Sequence, residues 1–182
     1  MTPGNDTRLD PEAPSVPSRD CSRIASLTLD QASIRRSNPN IQHEREVAIY
    51  DILDGNHFAV EGRNDGPYAL RLGLAEDRLV LHISSEAGGG EGSVGEGNPV
   101  TYMLSLSPFR RIIKDYFLVC ESYYQAIRTA TPSRIQAIDM GRRGLHDEGS
   151  RVLLERLKGK VEVDHDTARR LFTLICALHW KG

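Results

Sequence analysis

The spacing of apolar residues changes at Ser107 and Pro108, and this change constrains the fold more than any other feature. Before it, apolar residues alternate with others in residues 68–74 and 79–83, which is typical of strands with one buried face. After it, apolar residues recur every three or four positions from Phe109 to Ile127, as on one side of an amphipathic helix. A half rich in hairpins followed by a helical half predicts an α+β fold.

The first half is predicted to form a short strand near Ile24 and a helix from Ile41 to a stop signal at Gly55. A hairpin with its turn at Glu76 and Asp77, followed by a strand over residues 100–106, completes the sheet. We therefore expect a small antiparallel sheet of three to four strands, packed against three to four C-terminal helices.

Each expected C-terminal helix carries a start signal. Ser107 is a good N-cap with Pro108 at the first helical position, and Thr131 with Pro132 repeats this pattern. The second helix contains three glycines that indicate either tight packing or a break, namely Gly141, Gly144 and Gly149. A last helix is expected to start at a cap, which is either Asp164 or Asp166.

Two segments are expected to lie outside the packed structure. Residues 1–22 are rich in proline and poor in apolar side chains, so we interpret them as a disordered tail before one domain, residues 23–182. Residues 84–98 are expected to form a flexible glycine-rich loop. Residues 90–95 match G-x-G-x-x-G, but a dinucleotide site needs this pattern to open a helix, whereas a strand is predicted here.

Several segments resemble one family of proteins. They run through the first helix and nearly all of the helical half: residues 43–45, 48–51, 106–117, 122–124, 126–132, 137–144, 167–172 and 178–180. On these segments the chain is similar to the uncharacterised bacterial protein family 0262 of the UPF series. This resemblance implies a family but no activity, so the chemistry has to be inferred from the residues.

The composition excludes several classes of protein. No run approaches the roughly 20 apolar residues of a membrane span, and the N-terminus lacks the apolar segment of a signal peptide, so we expect a cytoplasmic protein without a membrane partner. Cys120 and Cys176 fall on apolar helix faces, where cysteine is usually inert. The six histidines lack metal-ligand spacing. We therefore expect no metal and no cofactor.

Charge is distributed unevenly along the chain. Residues 1–107 carry 9 basic and 16 acidic side chains, whereas residues 108–160 carry 11 basic and 6 acidic side chains. Such asymmetry indicates a charged partner. A nucleic-acid partner is not expected, because Tyr116, Tyr123 and Tyr124 fall on the apolar stripe and the sequence pI is only about 6.3.

Basic residues in the first turns of a helix oppose the helix dipole, and a docked anion would remove this conflict. We therefore predict an anion-binding site at the helix that begins at Pro108. Its candidate residues are Ser107, Arg110, Arg111, Lys114, Arg142 and Arg143. The alternative interpretation, which the sequence leaves open, is that these cations pair with carboxylates of the chain itself.

Three functions are compatible with these features. The favoured one is a non-enzymatic binding or regulatory protein that recognises a phosphorylated small molecule or an acidic protein surface. The second is an enzyme that acts on a phosphorylated small molecule, with an arginine clamp and with His146 or Glu148 as the general acid or base. The third is a structural subunit whose charges serve a protein interface.

Overall fold

The computed structural model describes residues 21–34, 39–87 and 97–179. The strands and helices follow one another along the chain in this order: β1 (Ile24–Leu29), α1 (Pro39–Asp54), β2 (Phe58–Val60), β3 (Tyr68–Ala75), β4 (Arg78–Ser85), β5 (Gly97–Ser105), a 3₁₀ turn (Ser107–Phe109), α2 (Arg110–Thr129), α3 (Pro132–Leu157), β6 (Val161–Val163) and α4 (His165–His179). In the described part of the chain no helix is long and apolar enough to cross a membrane.

The main sheet has the strand order β1-β3-β4-β5. β3 and β4 form the predicted antiparallel hairpin, in which Leu70 pairs with Ile83 and Leu72 pairs with Leu81. Alternate residues of β3 are buried, including Tyr68 at the strand start. The buried side chains of the sheet and the helices join in one hydrophobic core, so the α+β fold class is confirmed.

The sheet is mixed, although the sequence analysis expected it to be antiparallel. β1 lies parallel to β3, with Leu27 opposite Leu70. Parallel neighbours need a crossover connection, and α1 lies in the segment that joins these two strands. The remaining pairs, β3 with β4 and β4 with β5, are antiparallel.

A second sheet was not predicted from the sequence. β2 and β6 pair antiparallel, with Phe58 opposite Val163 and Val60 opposite Val161. Each strand has only three residues. Three residues are too few to produce a recognisable alternation of apolar and polar positions, so the sequence carries no usable signal for this sheet.

The helix boundaries answer two questions that the sequence left open and correct one prediction. α3 continues without a break through its three glycines. Asp164 rather than Asp166 caps α4, since the Thr167 amide donates to Asp164 Oδ1 over 2.7 Å. The prediction that Ser107 acts as an N-cap is wrong, because Ser107 lies inside the 3₁₀ turn and its hydroxyl bonds to Asp77.

Some expectations concern residues outside the described part of the chain. They include most of the expected tail, since description begins at Cys21, and the centre of the glycine-rich segment with its G-x-G-x-x-G match, residues 88–96. The ends of that predicted loop belong to strands. Ser84 and Ser85 close β4, and β5 begins at Gly97.

We predict that Gly149→Ala destabilises the protein whereas Gly144→Ala does not. A Cβ at Gly149 would lie 2.3 Å from Phe172 Cζ, but a Cβ at Gly144 meets nothing within 4 Å. Overpacking should cost about 1–3 kcal/mol of unfolding free energy at position 149. At position 144, the better helix propensity of alanine should add about 0.5–1 kcal/mol. Urea unfolding measures both, and equal effects would contradict the close packing of Gly149.

Candidate functional site

The anion at the start of α2 is a carboxylate of the chain itself. Asp77, in the turn between β3 and β4, accepts a hydrogen bond from the Ser107 hydroxyl at 2.9 Å. It also forms an ion pair with Arg110 at 2.5 Å. Its backbone carbonyl also accepts the Leu106 amide. The Ser107 hydroxyl and then the Arg110 guanidinium hold the pKa of Asp77 below its ordinary value. Asp77 thus resolves the conflict between Arg110 and the helix dipole.

The other predicted arginines also have carboxylate partners within the chain. Arg111 pairs with Asp115 one turn later on α2 and with Glu148 of α3. Arg142 and Arg143 share Asp139 of α3. The Arg142 hydrogen bond is the main reason that the pKa of Asp139 is lowered.

Five of the six predicted anion-binding residues therefore belong to three clusters with carboxylates, and the sixth, Lys114, lies outside them. Ser107 and Arg110 share Asp77, and the other arginines use the carboxylates of α2 and α3. Lys114 is exposed and forms no ion pair with the residues that the structure describes. This arrangement favours the alternative of internal pairing for the four arginines.

His146 lies among aromatic rings between α2, α3 and α4. Its ring contacts Tyr116 edge-on, with centroids 4.9 Å apart, and also contacts Phe172. Burial, followed by the nearby charges of Arg169 and Arg142, lowers the pKa of His146 to about 4. The imidazole is therefore neutral at pH 7, and its surroundings are mainly apolar.

His146 and Glu148, which were the alternative candidates for a general acid or base, have separate surroundings. Residues two apart on a helix point about 200° away from each other. Glu148 is held by Arg111, whereas the His146 ring lies against Tyr116 and near the Thr173 hydroxyl, 3.4 Å from Nδ1. Nothing in these contacts favours the enzymatic alternative.

The described residues also include no group of three or more histidine, cysteine, aspartate or glutamate side chains that could hold a metal ion. Cys120 and Cys176 are buried, and burial raises the pKa of both thiols. A raised thiol pKa disfavours the nucleophilic thiolate at neutral pH. The two cysteines are thus packed as small apolar groups.

The outer half of the α2–α3 hairpin carries apolar groups that no described part of the chain covers. We name residues 121–143 the distal hairpin; within this fully described stretch, Ala126 alone is buried. Tyr124 is 55% exposed, Ile127 49% and Met140 67%. Monomeric proteins seldom expose contiguous apolar side chains without a use for them.

A groove runs along one side of α2 toward the end of α4. Its volume is about 730 Å³, and we name it the α2 groove. It is lined by seven residues: Phe117, Glu121, Tyr124, Gln125, Arg128, Thr129 and His179. Arg128 forms no ion pair with any described residue. Lys114 lies on the same face of α2, three residues before Phe117, so two cations without an ion-pair partner among the described residues flank the aromatic rings, and Glu121 adds one carboxylate to the lining.

The α2 groove was missed because the sequence cannot show where a helix leaves the core. The apolar stripe of α2 is continuous to Ile127, and the analysis placed all of it against the protein interior. The structure buries Ile112 and Ile113 but exposes Tyr124 and Ile127. The expectation that Tyr124 is buried is therefore wrong, and it no longer argues against stacking on a ligand.

We predict that protonation of His146 makes the protein less stable in acid. The pKa is about 4 in the folded state and about 6.5 in the unfolded state, so the unfolded chain binds more protons between these values. Stability should fall by about 1–3 kcal/mol as the pH drops from 6.5 to 4, with allowance for the partial exposure of the ring. His146→Phe keeps an aromatic ring and should lack this component. A pH-independent difference between the two proteins in urea unfolding would contradict the prediction.

Comparison with known proteins assigns the chain to a family. A UPF0262 protein of Rhodopseudomonas palustris strain BisB5 is 59% identical over 92% of this chain and 98% of its own length. A UPF0262 protein of Nitrobacter winogradskyi is 59% identical over 92% of this chain and 96% of its own length. No solved structure matches the chain. The sequence model of UPF0262, an uncharacterised protein family, matches residues 21–181. The chain therefore belongs to the uncharacterised protein family UPF0262.

Proposed function

We propose that this protein is a non-enzymatic binding protein that recognises an acidic protein surface through the α2 groove. The observation that carries the proposal is the exposed apolar side of the distal hairpin beside cations that form no ion pair with the residues described in the structure. Tyr124 offers a large aromatic contact surface, and Arg128 adds a positive charge next to it. Tyrosine and arginine are enriched among the residues that dominate protein interfaces.

The proposal keeps the anionic partner of the sequence analysis but changes the place of contact. At the start of α2, Asp77 already supplies the negative charge that Arg110 needs. Farther along the helix, Lys114 and Arg128 are about 21 Å apart, at 1.5 Å of rise per residue. An elongated surface of this length suits a helix or an extended segment of a protein better than a small phosphorylated molecule.

In such an interface, apolar burial contributes mainly to affinity, whereas charge complementarity contributes to specificity and to the association rate. Burial of Tyr124 and Phe117 would supply most of the affinity, at roughly 25 cal/mol per Å² of apolar area. The cations Lys114 and Arg128 would reject basic partners and increase the association rate. An acidic partner with regularly spaced apolar residues satisfies both conditions.

We predict that the protein binds an acidic amphipathic peptide through Arg128. The probe is a labelled 16-residue designed helix with leucine at every third or fourth position and glutamate elsewhere, paired with a matched peptide that has lysine for each glutamate. Fluorescence anisotropy at low salt should show binding of the first peptide only. Arg128→Glu should weaken this binding about tenfold, since a like-charge contact replaces an attractive one.

The control variant Arg156→Glu makes the same change of charge on an exposed arginine in the last turn of α3. α2 and α3 run antiparallel, so Arg156 lies far from the distal hairpin, and the control should bind the peptide normally. Equal binding of the acidic and basic peptides would overturn the proposal. So would binding of single-stranded RNA in place of the peptide, with loss of that binding in Tyr124→Ala.

A further inference from the structure

The outer side of α1 is a second surface whose apolar groups are not covered by any described residue. Val47 is 43% exposed and Tyr50 is 69% exposed. They lie three residues apart on one side of the helix, and the opposite side packs into the core through Ala48 and Ile52. A helix that exposes both residues beside a covered core face has a second contact surface available.

Acidic side chains surround these two apolar residues. Four exposed carboxylates are present on α1, and none forms an ion pair with a described residue: Glu44, Glu46, Asp51 and Asp54. Glu46 accepts a hydrogen bond from Gln42, which carries no charge. We name the surface formed by Val47, Tyr50 and the four carboxylates the α1 acidic face.

We propose that the α2 groove binds the α1 acidic face of a second copy of this chain, so that the protein is a symmetric dimer. The inference rests on the proposed function and names the acidic partner. Lys114 and Arg128 supply positive partners for the carboxylates of Asp51 and Asp54. Tyr124 packs against the side chains of Val47 and Tyr50. Glu121 also lines the α2 groove, so two cations attract the acidic face against the repulsion of one carboxylate.

The two surfaces also match in length and spacing. The face of α2 repeats at residues 114, 117, 121, 124 and 128, and α1 repeats at 43, 47, 50 and 54. Both series alternate steps of three and four residues, the spacing with which two helices pack side by side. Their lengths are about 21 Å and 17 Å along the helix axes.

A symmetric dimer requires that the contact close on itself. In each copy α4 lies beside both helices, since Arg45 on the buried side of α1 bonds to the Ala177 carbonyl and His179 of α4 lines the α2 groove. The two-fold axis must then place each α1 against the α2 of the other copy. A closed dimer uses both surfaces twice, whereas an open contact would produce fibres.

Sedimentation velocity of the full chain tests this inference. We expect a dimer whose dissociation constant rises with salt, because unpaired surface charges are screened. Two double variants should each weaken dimerisation more than tenfold: Lys114→Glu with Arg128→Glu, and Asp51→Lys with Asp54→Lys. A matched control, Arg156→Glu with Lys158→Glu, makes the same charge change as the first variant and should leave the dimer intact.

Mixing the two variants provides the decisive measurement. In the mixture, each acidic groove meets a basic α1, and each basic groove meets an acidic α1. An equimolar mixture should therefore form a heterodimer at a concentration at which each variant alone is mainly monomeric. Circular dichroism of the separate variants checks that both are folded. Failure of folded variants to recover association in the mixture would overturn the assignment of α1 as the occupant.

Other outcomes separate this inference from the function on which it rests. A chain that is monomeric at about 1 mM but still binds the acidic peptide through Arg128 overturns the dimer and leaves the binding function in place. A monomer that binds no acidic peptide overturns both. A dimer that all charge reversals leave intact overturns the α2 groove as its interface. If both proposals hold, peptide binding should decline as the protein concentration rises above the dissociation constant of the dimer.

Discussion

Phe172 of α4 is the contact on which the arrangement of the helices depends. Its ring is fully buried and stacks on Phe109 at the start of the helical half, with centroids 6.2 Å apart. It also meets Tyr116 of α2 and lies against Gly149 of α3, where any side chain would collide with it. One side chain thus fixes the spacing of three helices. The absence of a Cβ at position 149 allows α3 to approach this closely.

The same contact helps to explain why the distal hairpin exposes apolar side chains. Phe172 holds the hairpin by Tyr116 and Gly149, and in the next turns of α2 and α3 few side chains are buried. There the Arg142 guanidinium lies over the Tyr123 ring at 5.4 Å, and His179 at the end of α4 lines the groove beside α2. The amphipathic pattern continues along α2 without core to cover it. An exposed apolar surface is therefore a consequence of helix length.

The elements that the sequence predicted well are those with many turns or many alternations. The β3–β4 hairpin and the long helices met this condition, and the start signal at Pro132 marked the first helical residue of α3. The parallel pairing of β1 and the β2–β6 sheet were not predicted, because short strands carry no information about their neighbours. For the candidate site, the sequence identified the unusual cations at the start of α2. It could not identify Asp77 as the partner of Arg110, since 33 residues and a folded hairpin separate them.

The net charge of the chain says little about the charge of its individual surfaces. The net charge of −2 conceals an acidic first half and a basic helical half. Ion pairs such as Arg110 with Asp77 remove part of this difference within the fold. The remaining charges include cations of α2 and carboxylates of α1, which form no ion pairs with one another or with other described residues. Exposed single charges cost little in water, so folding alone places no demand on these positions. Apolar residues beside both sets of charges do carry a cost in water, and that cost is relieved only when another surface covers them.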